Sequence, residues 1–418
     1  MLMSRVGVVV IGGGPAGLSA AIAASVDGAS VMIVDRDARL GGILKQCIHA
    51  DFGFLRYDEL LTGPEYAFRD ISNLEQTSTI VLLQTTVTRI ISSGNVFHLT
   101  MCNRHGILHI EAKSIVLATG CIERTARHAG VHGSRPAGVM TAGSAQYYAN
   151  IMGQLPSRSS IILGSGNIGL VMARRLTLEG GKVLGVYEPK QLPEGSLHNI
   201  TECLTDFDIP LHFGHTITHV TGAQRLKSVV ISRVDKSLNP IRGTENRVKC
   251  DSLILSVGLI PENELANSLG VPISVETGGP ECDQNNMTLL DGVFTCGNAT
   301  HISDTVDYIS ESGEIAGRNA ARYMVRDRQL ISIRASKDFL YCAPQYLDID
   351  MLHNETVIFF RSREVRENVT VKVYADGQEV LSEEFLTLRP PETERLAVNL
   401  TTALNPESRI ELRMENNR

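Results

Sequence analysis

The spacing Gly-x-Gly-x-x-Gly occurs twice in this chain of 418 residues, at Gly12, Gly14 and Gly17 and again at Gly164, Gly166 and Gly169. Each copy follows a run of β-branched residues and opens a helical pattern: Pro15 and Ala16 fill the first turn, Asn167 and Ile168 the second. Each is then followed by a second apolar run closed by an acid, Asp35 (with Arg36 beside it) and Glu188. The three glycines have separate tasks: a tight turn, close approach of backbone to a pyrophosphate, and close packing of helix on strand. The helix N-terminus offers free N–H groups and a positive dipole end to the phosphates, and the acid accepts from a ribose diol. Two copies predict two βαβ nucleotide-binding units, over residues 6–35 and 160–188, with Gly28 and Gly180-Gly181 as helix stops.

Composition narrows the class. Hydrophobic content of 43% and charged content of 20% are ordinary for a globular protein, and the length supports two or three domains. A net charge of -7 argues against nucleic-acid binding or a polybasic membrane role. No apolar run approaches the about 18 residues needed for a transmembrane segment, and 6–11 reads as a first strand instead of a leader. The eight cysteines are scattered without a C-x-x-C pair, which fits neither a disulfide framework nor a metal site. The expected compartment is a reducing cytoplasm.

Along the chain, residues 40–75 show weak helical patterning, and 79–91 and 96–111 read as a β meander. A buried strand over 114–119 ends in Ala118-Thr119-Gly120. A Gly/Pro-rich connector near 130–143 and a helix around 144–153 precede the second unit, and strands are expected near 227–233 and 252–257. A strand at 292–295 leads through Gly297 and Asn298 to a helix over about 304–325, with Val306 near its start. Such a helix aims its N-terminus at the pyrimidine edge of a flavin, where negative charge develops on reduction. Gly41 and Gly42 would let backbone pass close to a second phosphate. Site pieces at 12–42, 118–120 and 292–310 imply a discontinuous FAD domain, 1–155 and 285–330, with a nicotinamide-nucleotide domain inserted at 156–284. Beyond about 330 the text is strand and turn, with an Asp376-Gly377 hairpin signal, so a sandwich-like all-β module is expected over 335–418. The fold class is therefore α/β, two Rossmann-like domains plus that module.

At Glu188 the carboxylate suits the ribose of NAD and repels a 2′-phosphate, and only Pro189 and Lys190 follow it, so NAD is favoured over NADP. Taken together, 12–17, 118–120, 164–169, 251–261 (which contains Gly258) and 292–298 resemble the two-dinucleotide-binding flavoproteins of the pyridine nucleotide–disulfide oxidoreductase superfamily. The segments 41–49, 61–66 and 133–146 look most like FAD/NAD subunits that accompany glycerol-3-phosphate, proline or opine dehydrogenases. The resemblance implies an FAD-dependent NAD(P)H oxidoreductase moving hydride between NAD(H) and FAD. It also implies an oligomer containing a second dehydrogenase subunit, with a small-molecule electron donor or acceptor.

Two departures from that pattern matter. Asn298 stands where the superfamily usually has an aspartate that accepts from the ribityl chain. The redox cysteine pair is missing: neither C-x-x-x-x-C after Gly42 nor C-x-x-C in the second nucleotide region occurs. Cys47 lies near the place where single-cysteine NADH oxidases and peroxidases keep a thiol that cycles through sulfenic acid, which makes a self-contained oxidase the alternative reading. Packing explains Cys47 as well, because cysteine is a common small core residue. His49 beside it does not make a metal site, and His301 and Asp304 lie where a flavin could be approached. A third reading is a non-catalytic assembly subunit docking through its β module.

Overall fold

The computed structural model describes residues 4–352, 355–400 and 404–416. The β module expected over 335–418 therefore includes positions (353–354, 401–403 and 417–418) that lie outside the described residues. The chain divides into two compact units. The first contains 1–45, 50–121 and 261–418, and the second contains 46–49 and 122–260. The main crossovers fall at 121/122 and 260/261, in place of 155/156 and 284/285. The strand Val139–Thr141 and helix Ala142–Asn150 belong to the second sheet, whereas residues 261–284 fold with the first unit.

In the first unit the strand Ser4–Ile11 lies between Val31–Val34 and Gly106–Leu117, all parallel, and Ile80–Leu82 extends the sheet beyond Val31–Val34. The sequence divides Gly106–Leu117 into a meander strand and a separate buried strand, but it is continuous. Its first half pairs antiparallel with Val96–Asn103, and its last residues pair parallel with Val293–Thr295. The burial pattern changes from alternating to continuous along its length because only its second half is covered on both faces. Helix Pro15–Val26 and helix Val306–Arg322 cover one face through Leu18, Ala20, Ala24, Ala316 and Ala320. The meander packs on the other face through Phe97, Leu99 and Met101. Helix Gly63–Glu75, within the weakly patterned 40–75 stretch, starts with a capping box between Thr62 and Glu65.

The second unit has a five-stranded parallel sheet in the order Val139–Thr141, Ser252–Leu255, Ser159–Leu163, Lys182–Glu188 and Leu211–Phe213. Helices Ala142–Asn150 and Asn167–Leu178 bury Ala145, Leu170 and Ala173 on one face. On the other face lies a small sheet built on the antiparallel pair His215–Gly222 and Leu226–Arg233.

The C-terminal strands, which belong to the first unit, make two sheets. One runs Tyr346–Asp348, Leu330–Ala335, Ile410–Asn416, Arg366–Ala375, Gln378–Leu388, and the other runs Phe339–Ala343, Thr356–Ser362, Glu394–Val398. Their inner faces share a core of Val369, Val371, Val373, Phe360, Leu396 and Leu412. The expected hairpin turn is present: Ala375 pairs with Gln378, and Asp376 and Gly377 both have positive φ, 49° and 81°. This module is not free-standing, since Arg328 reaches Asp283 and Asp291, and Arg395 holds Glu311 with two nitrogens. Among the described residues no helix is long and apolar enough to cross a membrane.

Candidate functional site

Both fingerprints turn strand into helix with no room for side chains at their first and third glycines. Gly12 has φ +110°, and a Cβ there would lie 2.2 Å from the Ala118 carbonyl oxygen. A Cβ at Gly17 would lie 1.8 Å from the Gly12 carbonyl oxygen. Gly14 precedes the helix with extended backbone and no side-chain cap, Pro15 occupies the helix start, and the first N–H groups are left for a ligand. Gly41 donates its N–H to the Gly13 carbonyl at 2.8 Å, and a Cβ on Gly42 would meet the Gly14 Cα at 2.8 Å. The backbone of 41–42 thus lies against the first turn and leaves a smooth, side-chain-free cradle.

The acids are oriented alike. In each fingerprint the residue between the first two glycines donates its N–H to the acid, Gly13 to Asp35 Oδ2 at 2.6 Å and Ser165 to Glu188 Oε2 at 3.0 Å. Asp35 Oδ1 also accepts from the Asp37 N–H, and Arg36 is exposed. Glu188 is 2% exposed and accepts further from the Ser165 hydroxyl at 2.7 Å and the Lys190 N–H at 3.0 Å. Burial raises its carboxyl above the ordinary range, while these donors pull it down. The Lys190 ammonium is paired with Glu194.

The remaining pieces of the first site come together by packing. Ala118 and Thr119 follow the strand Gly106–Leu117, Thr119 donates to the Glu262 carbonyl at 2.7 Å, and Gly120 has φ +75°. Gly297, with φ +60°, faces Ala16: a Cβ there would stand 2.8 Å from the Ala16 Cβ. Asn298 Oδ1 accepts from the Ser303 N–H at 2.9 Å, so its amide orders the loop before the last helix. Val306 opens that helix and packs with Leu44, Leu61, Tyr66 and Ala67.

In the second site Gly164 has φ +93°, and a Cβ there would be 2.0 Å from the Ser256 carbonyl oxygen. Gly169 donates its N–H to Ser256 Oγ at 3.1 Å, and a Cβ on Gly169 would meet Ser256 Cβ at 2.6 Å. The Asn167 side chain is held by the 196–199 segment, its Oδ1 accepting from Ser196 N at 2.9 Å and Asn199 Nδ2 at 3.0 Å. Ile168 packs into the helical face of the unit. Gly258 has φ +97° and accepts from the Arg124 N–H at 2.9 Å.

Three features went unread in the sequence. Ser256, which holds the second glycine turn, is an ordinary residue after an apolar strand. The Gly313 and Gly317 pair, which seats the last helix on the first, was signalled by its four-residue spacing. Tyr341, whose hydroxyl contacts His301, belongs to a strand with no local marker.

Cys47 packs with the second unit, its neighbour Gln46 donating to the Gly143 carbonyl at 2.9 Å. Burial pushes the Cys47 thiol up to about 12, so it stays protonated near neutral pH. No disulfide joins any of the eight cysteines. No cluster of metal-ligating side chains occurs among the described residues, His49 included.

The two glycine cradles, each with an uncapped helix start and an oriented acid, fit a pair of dinucleotides. The family described as pyridine nucleotide-disulphide oxidoreductase matches residues 6–327. An opine oxidase subunit from Agrobacterium tumefaciens is 28% identical over 349 residues, covering 78% of this chain and 67% of that protein. Hydrogen cyanide synthase subunit HcnB of Pseudomonas aeruginosa is 26% identical, covering 78% and 72%. Among solved structures, the fold is shared with T. acidophilum thioredoxin reductase at TM-score 0.62 and 21% identity, covering 76% of this chain and 98% of that one. L-proline dehydrogenase from P. horikoshii superposes at TM-score 0.57 and 20% identity, covering 78% and 58%. The chain belongs to the pyridine nucleotide-disulphide oxidoreductase family and is an FAD- and NAD(P)-binding oxidoreductase.

Proposed function

We propose that the chain is the electron-transfer subunit of a heteromeric dehydrogenase, exchanging hydride between NAD(H) and FAD. The observation that carries this reading is the pair of complete glycine cradles in a chain without a redox dithiol. Further support comes from relatives named as subunits. When bound, the two cofactors supply the hydride chemistry; the chain supplies binding, orientation and exclusion of water.

In this reading Gly12, Gly14 and Gly17, with Gly41 and Gly42, let backbone N–H groups reach the FAD pyrophosphate. Asp35 takes the adenosine ribose. Asn298 and the first turn at Val306 face the flavin end. Gly164, Gly166 and Gly169 hold the second pyrophosphate, and Glu188 takes the NAD ribose and repels a 2′-phosphate. The partner subunit oxidises the substrate and is expected to resemble a glycerol-3-phosphate, proline or opine dehydrogenase. The cytoplasm is the expected compartment.

The test is anaerobic addition of NADH to the FAD-loaded protein. Bleaching of the flavin, slower with NADPH, and sluggish reoxidation by oxygen alone are expected. A flavin that NADH leaves coloured overturns the proposal. The Cys47→Ser variant separates the oxidase alternative, which requires a thiolate, whereas burial pushes the half-buried Cys47 thiol up to about 12. Unchanged flavin reduction and unchanged oxygen or peroxide turnover are expected, and a loss of more than about tenfold in peroxide turnover would favour the alternative.

A further inference from the structure

The C-terminal strands grip the segment that leads into helix Val306–Arg322. Tyr341, buried in the strand Phe339–Ala343, donates its hydroxyl to the Ile302 carbonyl at 3.1 Å and lies 3.2 Å from His301 Nδ1. Burial and the charge of Arg361 push the His301 imidazole down to about 4, and it is neutral at pH 7. Further along the same segment, Thr393 donates its N–H to Asp304 Oδ1 at 2.9 Å, and the Arg361 guanidinium stands 3.5 Å from the same oxygen. Arg361 also donates from Nε to Thr393 Oγ1 at 3.0 Å and lies over the Tyr341 ring. The three side chains are therefore one connected brace that grips 301–304.

The segment has short-range contacts of its own: the His301 N–H donates to the Gly297 carbonyl at 3.4 Å, and Ser303 Oγ donates to the Thr305 carbonyl at 3.2 Å. On the side of the nucleotide sheet, Asn298 Oδ1 accepts from the Ser303 N–H. The helix that follows, from Val306, has no side-chain cap at Thr305, so its first turn is placed by the loop before it.

We propose that Tyr341, Arg361 and Thr393 are positioning residues for the flavin. They fix 301–304 and so set where the first turn of helix Val306–Arg322 presents its N–H groups and dipole. This rests on the reading that FAD occupies the first fingerprint, and it gives the C-terminal strands a task inside the subunit, separate from any docking. Field at a helix start falls off within a turn, so small shifts of this loop change how well the reduced, more negative flavin is stabilised.

The experiment compares wild type with Tyr341→Phe, Arg361→Gln and, as a control in the same module, Lys372→Gln, which removes two partly exposed ion pairs, with Glu379 and Glu415. Three quantities are read: FAD affinity from flavin fluorescence, the flavin midpoint potential, and hydrogen exchange of the 301–306 amides with and without FAD. Tyr341→Phe and Arg361→Gln are expected to weaken FAD binding about tenfold, to make the potential more negative, and to speed exchange of 301–306 even without FAD. Lys372→Gln is expected to match wild type throughout. Brace variants that match wild type in affinity, potential and exchange overturn the positioning role. If FAD gives no protection to 303–306 in the wild type, it is the placement of FAD that fails, and the two failures are distinguishable.

Discussion

Gly313 has no space for a side chain because the Ala16 carbonyl oxygen stands where it would go: a Cβ would lie 2.1 Å from that oxygen. One turn on, a Cβ at Gly317 would lie 2.1 Å from the Ala20 carbonyl oxygen. The two helices of the first unit thus touch backbone to backbone along Ala16, Ala20, Gly313 and Gly317, closer than helices with larger contact residues can approach. Gly313→Ala should cost about 2–3 kcal/mol of stability through overpacking against rigid backbone. Because Ala16 lies in the fingerprint turn, FAD affinity should fall as well. Urea unfolding and flavin fluorescence titration check both, and a variant as stable as wild type would contradict the close contact.

Glu188 and Lys190 set a specificity prediction. Replacing Glu188 with Ser removes the proposed ribose acceptor and the partner of the Ser165 N–H, and the Michaelis constant for NADH should rise tenfold or more, as for loss of a charged hydrogen bond of about 1.5–3 kcal/mol. NADPH should gain little from this change alone, because the Lys190 ammonium is tied to Glu194. The double variant Glu188→Ser/Glu194→Gln frees that ammonium and should use NADPH better than the single variant does. Steady-state rates with both nucleotides decide it. Full retention of NADH affinity in Glu188→Ser would remove Glu188 from the site.

Glu394 provides a pH signature. Burial, with the charges of Glu392, Asp304 and Glu383, raises its carboxyl from 4.5 to about 7. Between those values the folded protein holds a proton that the unfolded chain releases. Its favourable contribution is therefore complete below 4.5 and lost as pH rises through 7. Glu394→Gln should be near neutral at pH ~5 and stabilising by about 1–2 kcal/mol at pH ~8, after discounting for partial solvent screening. Urea midpoints at the two pH values check the sign, and an effect confined to the lower pH would reverse it.

The glycine turns were legible in the sequence because their requirement is local and written in residue type. A positive φ at Gly12 and Gly164, or no Cβ at Gly17, admits little else. The same holds for the Asp376-Gly377 hairpin. What was not legible is decided at a distance. Lys113 and Ser114 interrupt the apolar text, yet one strand runs through them because each half of Gly106–Leu117 has its own partner. Helix Gly63–Glu75 mixes buried Tyr66 and Asp70 with an exposed Phe68, which blurs its period, although Thr62 and Glu65 spell a capping box. Among the short strands, Leu330–Ala335 and Phe339–Ala343 form against the distant Ile410–Asn416 and Thr356–Ser362, and Tyr346–Asp348 pairs back on Leu330–Ala335. The placement of the Asn167 side chain depends on Ser196 and Asn199, which no spacing rule connects to it.

The strand Gly106–Leu117 receives its last neighbour, Val293–Thr295, only after all of the second unit has been passed in the chain. On the ribosome, order of appearance and order of completion are therefore reversed. The first Ala-rich helix emerges early, but its Gly313 and Gly317 partners are among the later segments made. Until then the nascent chain exposes an open sheet edge at 115–117 and an uncovered apolar helix face, the kind of surface that invites chaperone capture or misassembly. The inserted unit can finish folding while its host is still waiting, so a chain that has emerged only to a point between 260 and 293 would hold one nucleotide unit complete and the other half-built.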